Sequence, residues 1–136
     1  MWATAQPWYR HDERFWGADI MGHWLRRWGW TVKVDARLIE LDFGAWDGQA
    51  WAQIAWTEVE AWQADLLRFA PGGGESLAQL AARVQAFVAD ADAPRMLVTH
   101  GGWINALLHV PSGLQHLAAA DWPAPPRPGQ GLHWRR

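Results

Sequence analysis

The residues best suited to chemistry in this chain are His100-Gly101-Gly102, where the apolar run Met96-Leu97-Val98-Thr99 stops abruptly. A run of that length, with Pro94-Arg95 before it and a glycine pair after it, reads as a buried strand. A histidine at the carboxyl end of such a strand stands where open α/β sheets place their ligands, and the glycines let the backbone approach an anion closely. Trp103, Ile104, Ala106, Leu107 and Leu108 then suggest a helix leaving the strand directly. Its free N–H groups would face whatever His100 and Gly101 bind, which favours a phosphate or a carboxylate. The plainer alternative for His100 is a polar residue capping a loop.

Glu40 is the second candidate. It lies in Leu38-Ile39-Glu40-Leu41-Asp42-Phe43-Gly44-Ala45-Trp46-Asp47-Gly48, whose two glycines and mixed polarity read as an ordered loop. Ile39 and Leu41 on either side would draw it toward a low-dielectric setting, where a carboxyl donates a proton more readily. An exposed or salt-bridged glutamate is the alternative. Glu75 offers a further site carboxylate or, equally, a solvated loop acid. His109 and His116 are expected to cap or to face solvent.

The elements that must hold these groups follow from hydrophobic periodicity. Residues 1 to 18 show no stable rhythm and are expected to be irregular. Asp19 can cap a helix whose stripe is Ile20, Met21, Trp24, Leu25 and Trp28, stopped by Gly29. Trp30 to Val34 alternate as a short strand. The spacing predicts a long helix over 50 to 69, with Trp51, Ile54, Val59, Trp62, Leu66 and Phe69 on one side. Pro71-Gly72-Gly73-Gly74 ends it; these glycines lack the strand context and lysine of a nucleotide-binding loop. Ser76 with Gln79 forms a capping box before the stripe Leu77, Leu80, Val84, Phe87 and Val88. Leu114 to Ala120 suggest a short helix. Residues 123 to 136 form a Pro/Gly-rich tail, with a brief edge strand at Leu132 to Trp134.

Composition narrows the function classes. A chain of 136 residues fits one domain. There is no cysteine, hence no disulfide framework or thiolate metal site, and no convincing metal-ligand cluster is visible, so no cofactor is expected. The net charge is -2 with scattered basic residues, which argues against a nucleic-acid partner. No apolar stretch approaches a membrane span and the first residues lack a signal-peptide pattern, so a cytoplasmic protein without a membrane partner is expected. A G-x-S-x-G turn and an H-E-x-x-H helix are both absent, which disfavours serine and metal hydrolases. The thirteen tryptophans fall mostly on expected helix faces, where packing is their role.

Three stretches together carry a resemblance: 38–48, Pro71 to Leu77 followed by Arg83-Val84, and Val98 to Ile104. Their order and spacing resemble those of the histidine phosphatase superfamily, with its phosphoglycerate-mutase-like fold, and look most like its α-ribazole phosphatase branch of cobalamin synthesis. The resemblance covers roughly residues 24 to 117. It implies an α/β fold, here an incomplete three-layer α/β/α sandwich of the phosphoglycerate-mutase-like type, and phosphoryl transfer through a phosphohistidine. Glu40 would then be the proton donor to the leaving oxygen, while His100 with Gly101 would hold the phosphoryl group. The substrate would be a small phosphorylated molecule, α-ribazole phosphate or another small phosphomonoester. The chemistry fits, because phosphoryl transfer gains mainly from positioning and from donors around the equatorial oxygens.

The sequence departs from the family at its start. The family opens with an apolar strand running into Arg-His-Gly, whose histidine is the nucleophile. Here the only Arg-His pair is Arg10-His11, followed by Asp12 and preceded by Gln6-Pro7-Trp8-Tyr9, a poor central strand because proline lacks the N–H a ladder needs. The interval from 12 to 39 is also too short for the strand, crossover, helix and second strand required. His11 is therefore a doubtful nucleophile and Arg10 a doubtful phosphate-binding residue. The expectation is a single N-terminally truncated domain over 1–136, with phosphatase activity in doubt; a non-catalytic phosphate-binding or protein-interaction remnant is the alternative. A missing central strand would expose a sheet edge, and self-association through that edge is expected.

Overall fold

The computed structural model describes residues 2–3, 16–90, 96–111 and 113–134. Arg10 and His11, the doubtful phosphate-binding residue and nucleophile, lie outside the described residues. The elements in chain order are β1 (Trp2–Ala3), α1 (Trp16–Arg27), β2 (Lys33–Val34), α2 (Trp56–Ala64), α3 (Leu77–Ala89) and α4 (Gly101–His109), joined by short 3₁₀ turns.

Local chemistry accounts for the helix ends. α1 stops in a Schellman motif: Gly29, at φ +82°, donates to the Arg26 carbonyl at 3.0 Å, and Trp30 donates to that of Leu25 at 2.9 Å. Asp19 lies inside this helix instead of capping it. α3 begins at the expected capping box, with Gln79 N–H donating to Ser76 Oγ at 3.3 Å and Ser76 N–H to Gln79 Oε1 at 2.8 Å.

The predicted helix over 50 to 69 is broken. A 3₁₀ turn at Trp51–Gln53 precedes α2, which ends at Ala64. In a continuous helix Trp51 and Trp62 would stand about 16 Å apart along the axis. Instead their rings stack with centroids 6.2 Å apart, and both meet Trp46. This aromatic cluster, with Phe43 and Phe69 at its border, wins over helical continuity.

The core lies where α3 packs on α4. Leu77, Leu80, Val84 and Phe87 of α3 meet Trp103 and Ala106 of α4, and Leu38 and Leu41, from the chain between β2 and α2, join the same cluster. Phe87 and Trp103 meet edge to face, centroids 5.8 Å apart. Trp103 is 1% exposed and is the largest of the fully buried side chains.

β structure is sparse. Among the described residues the sheet is one parallel pair of two-residue strands, Trp2 opposite Lys33 and Ala3 opposite Val34. The expected strand over 96–99 is reduced to an isolated bridge at Leu97, and 132–134 has no strand. The short helix expected over 114–120 is a 3₁₀ turn at Ala119–Asp121. Self-association through a sheet edge is thereby corrected: two-residue strands offer no edge long enough to pair. No helix among the described residues is long and apolar enough to cross a membrane.

Candidate active site

α4 delivers the site. His100 is its N-cap residue, with extended backbone at φ -109° and ψ 163°, and its carbonyl accepts the first helical bond from Ile104 at 3.0 Å. The first N–H groups of a helix have no partner within it. The N–H of Gly102 finds one in Glu40, whose Oε2 accepts it at 3.1 Å while Oε1 accepts the Leu41 N–H at 3.0 Å. The structure thus brings Glu40 and His100 to one end of α4, although 59 residues of sequence run between them in a fold with little sheet to align them.

At both glycines a neighbouring side chain fills the space that a Cβ would take. A Cβ on Gly102 would run into the Glu40 carboxylate, and a Cβ on Gly101 would stand 2.8 Å from Pro125 Cβ. The tail therefore crosses the first turn of α4 beside the site. Asn105, 2% exposed, ties it down by donating to the Pro123 carbonyl at 2.8 Å. The Pro/Gly-rich composition of 123–131 gave no hint of this placement.

The segment carrying Glu40 is held by side chains. Thr99 Oγ1 donates to the Leu38 carbonyl and Trp103 Nε1 to that of Arg37, each at 2.7 Å. Arg83 donates to the carbonyls of Arg37, Ile39 and Glu40, and forms a two-point pair with Glu75 at 3.0 and 2.7 Å. Glu75 is thus not a solvated loop acid; it faces Arg83. In the sequence Arg83 counted only as part of the second motif stretch, without a role; the signal for one was a charged residue beside the buried stripe of α3, with an acid just ahead of the helix cap.

At the start of the segment, Asp35 accepts from the backbone N–H, Nε and Nη2 of Arg37, at 2.9, 3.0 and 2.6 Å. These bonds hold the Asp35 carboxyl below its ordinary range. Hydrogen bonds to Asp35 and Asp90 push the Arg37 guanidinium up, and it lies over the Phe87 ring at 5.2 Å. The glycine motifs interlock on the other side. Gly44 at φ +53° and Gly72 at φ +60° face each other so closely that a Cβ on either would strike the other loop's backbone. Glu75 N–H donates to the Asp42 carbonyl at 2.7 Å, and the Asp42 side chain accepts the Gly44 N–H at 2.8 Å.

Such an arrangement can hold an anionic group at the His100 end of α4 and present a carboxyl beside it. Among the described residues no group of three or more His, Asp or Glu is placed to hold a metal ion.

Comparison with known proteins gives concordant matches. The model of the histidine phosphatase superfamily (branch 1) matches residues 19–126. The glucosyl-3-phosphoglycerate phosphatase of Mycobacterium tuberculosis is 38% identical, over 72% of this chain and 49% of that protein. Its counterpart in Mycolicibacterium vanbaalenii is 35% identical, over 70% and 47%. The chain thus spans about half the length of these relatives. The solved structure of mycobacterial glucosyl-3-phosphoglycerate phosphatase with inorganic phosphate superposes with a TM-score of 0.52 at 38% identity, covering 67% of this chain and 51% of that one. The native structure of the same phosphatase gives 0.51 at 39% identity, covering 65% and 50%. These findings overturn the expected likeness to the α-ribazole phosphatase branch and, with it, the link to cobalamin synthesis. They bear out the fold class: an incomplete phosphoglycerate-mutase-like α/β/α arrangement with sparse β content.

Proposed function

The chain belongs to the histidine phosphatase superfamily, and from that premise we propose that the Glu40–His100 end of α4 is the phosphate-holding and proton-donating side of a phosphomonoester hydrolase site. The observation that carries this reading is the Glu40 carboxylate seated at the first turn of the helix that His100 opens. Hydrolysis of a phosphomonoester breaks the bond between phosphorus and the leaving oxygen, and water supplies the elements for inorganic phosphate and alcohol. His100 and the Gly101 backbone hold the phosphoryl oxygens, and Glu40 gives its proton to the leaving oxygen and recovers one from water.

The substrate in this reading is glucosyl-3-phosphoglycerate, on the strength of the relatives named for that activity. The primary alkoxide on C3 of its glycerate is a poor leaving group, so a proton donor matters more here than for an activated ester.

The test is release of inorganic phosphate from glucosyl-3-phosphoglycerate by the full chain, beside His100→Ala and Glu40→Gln. Release that His100→Ala abolishes and Glu40→Gln lowers at least about a hundredfold supports the reading. Release no greater than that of His100→Ala, or release that both variants retain, overturns it.

A further inference from the structure

We propose that Arg83, oriented by Glu75, is a positioning residue for Glu40: it fixes the acid by bonding the carbonyls of the segment that carries it, without contacting the carboxylate. The observation is the fate of four consecutive backbone carbonyls. Those of Arg37 and Ile39 accept from Arg83 Nη1 at 2.9 and 2.8 Å, and that of Glu40 accepts from Nη2 at 3.3 Å. That of Leu38 accepts from Thr99 Oγ1, and that of Arg37 takes a second donor in Trp103 Nε1.

Each of these donors is a side chain. In a regular sheet a neighbouring strand would satisfy such carbonyls and thereby set the position of Glu40. Here α3 does so for three of the four through one guanidinium. The planar fork of arginine matters, because its donors point in fixed directions once the plane is fixed. Glu75 fixes that plane by taking Nε at 3.0 Å and Nη2 at 2.7 Å, which leaves Nη1 directed at Arg37 and Ile39. Both partners are only 17% exposed, so water competes poorly for these bonds. A lysine at this position has a single nitrogen and cannot span the same acceptors.

What Glu40 is positioned for rests on the phosphatase reading, but where it sits can be read independently of turnover. The Gly102 amide proton is the reporter, because it bonds directly to Glu40 Oε2 at 3.1 Å. Amide spectra of the 15N-labelled full chain are compared with those of Glu40→Ala, Arg83→Lys and Glu75→Gln, each with its thermal melt. The Gly102 resonance is expected to move toward its Glu40→Ala position in both other variants, further in Arg83→Lys than in Glu75→Gln. Glu75→Gln keeps the arginine and a neutral hydrogen-bonding partner, so it supplies a folded chain even where Arg83→Lys does not. An arginine with a merely structural role would lower the melt and leave Gly102 in place. A parent-like Gly102 resonance in either variant that melts cooperatively overturns the proposal. A chain without turnover leaves this result standing, since the amide shift requires no chemistry.

Discussion

Glu40 Oε1 occupies the space that a side chain on Gly102 would need, while Glu40 Oε2 accepts the Gly102 N–H at 3.1 Å. One glycine thus provides both the donor and the room for the acid. Gly102→Ala tests that relationship. Alanine is better than glycine within a helix by about 0.5–1 kcal/mol, and the group it strikes is the end of a flexible side chain. The melting temperature is therefore expected to stay near that of the parent. Phosphate release is expected to fall about a hundredfold as the acid is displaced. Unchanged release would show that the carboxylate tolerates the move.

Trp103 combines a buried ring with a donor aimed at the loop carrying Glu40. Trp103→Phe removes the Nε1 bond to the Arg37 carbonyl, which keeps Arg83 as a partner, so the cost expected in urea unfolding is about 1–3 kcal/mol. Trp103→Ala adds a cavity and is expected to cost about 3–5 kcal/mol. Equal losses in the two variants would mean that ring volume at this position contributes little.

The capping box of α3 makes a smaller, separable contribution. Ser76→Ala is expected to lower stability by about 1 kcal/mol in the same unfolding measurement. Gln79→Ala added to it should cost less than the sum of the two single changes, because the two side chains bond each other's backbone reciprocally. Additive losses would contradict the box.

Asp35 gives the fold a defined acid sensitivity. Its carboxyl is held below the ordinary range chiefly by the Arg37 hydrogen bonds, so its folded pKa lies under its unfolded one. The stabilisation is complete above the unfolded value near pH 4 and is lost as pH falls through the depressed one. Asp35→Asn is expected to be less stable than the parent at pH 7, with the difference shrinking below about pH 4. A difference that stays constant with pH would contradict this assignment.

The parts of the fold legible in the sequence were those set by neighbours in sequence. Ser76 with Gln79, Gly29 after α1, and the helix starting at Gly101 each depend on a few adjacent residues. The long helix over 50 to 69 was misread because stacking of Trp51 on Trp62 is a contact across a chain reversal, which periodicity does not register. Met96 to Thr99 had the composition of a strand, but a strand also needs a partner, and Thr99 spends its hydroxyl on the Leu38 carbonyl. Glu40, His100 and Gly101 stood out by type and spacing. The role of Arg83, and Asn105 and the Pro125 contact altogether, did not, since each acts on residues remote in sequence. The branch of the family was misjudged for a related reason: stretches 38–48, 71–84 and 98–104 build the acid loop and the α4 end, and they say little about the alcohol the substrate carries.

If Glu40 protonates the leaving oxygen, the loss on replacing it must depend on the leaving group. Phosphate release by the parent chain and by Glu40→Gln is measured with glucosyl-3-phosphoglycerate and with p-nitrophenyl phosphate, whose phenolate departs without a proton. A loss of about a hundredfold or more is expected for the sugar-acid ester and only a few-fold for the activated ester. Equal losses for both would contradict it and leave Glu40 with no part in protonating the leaving group.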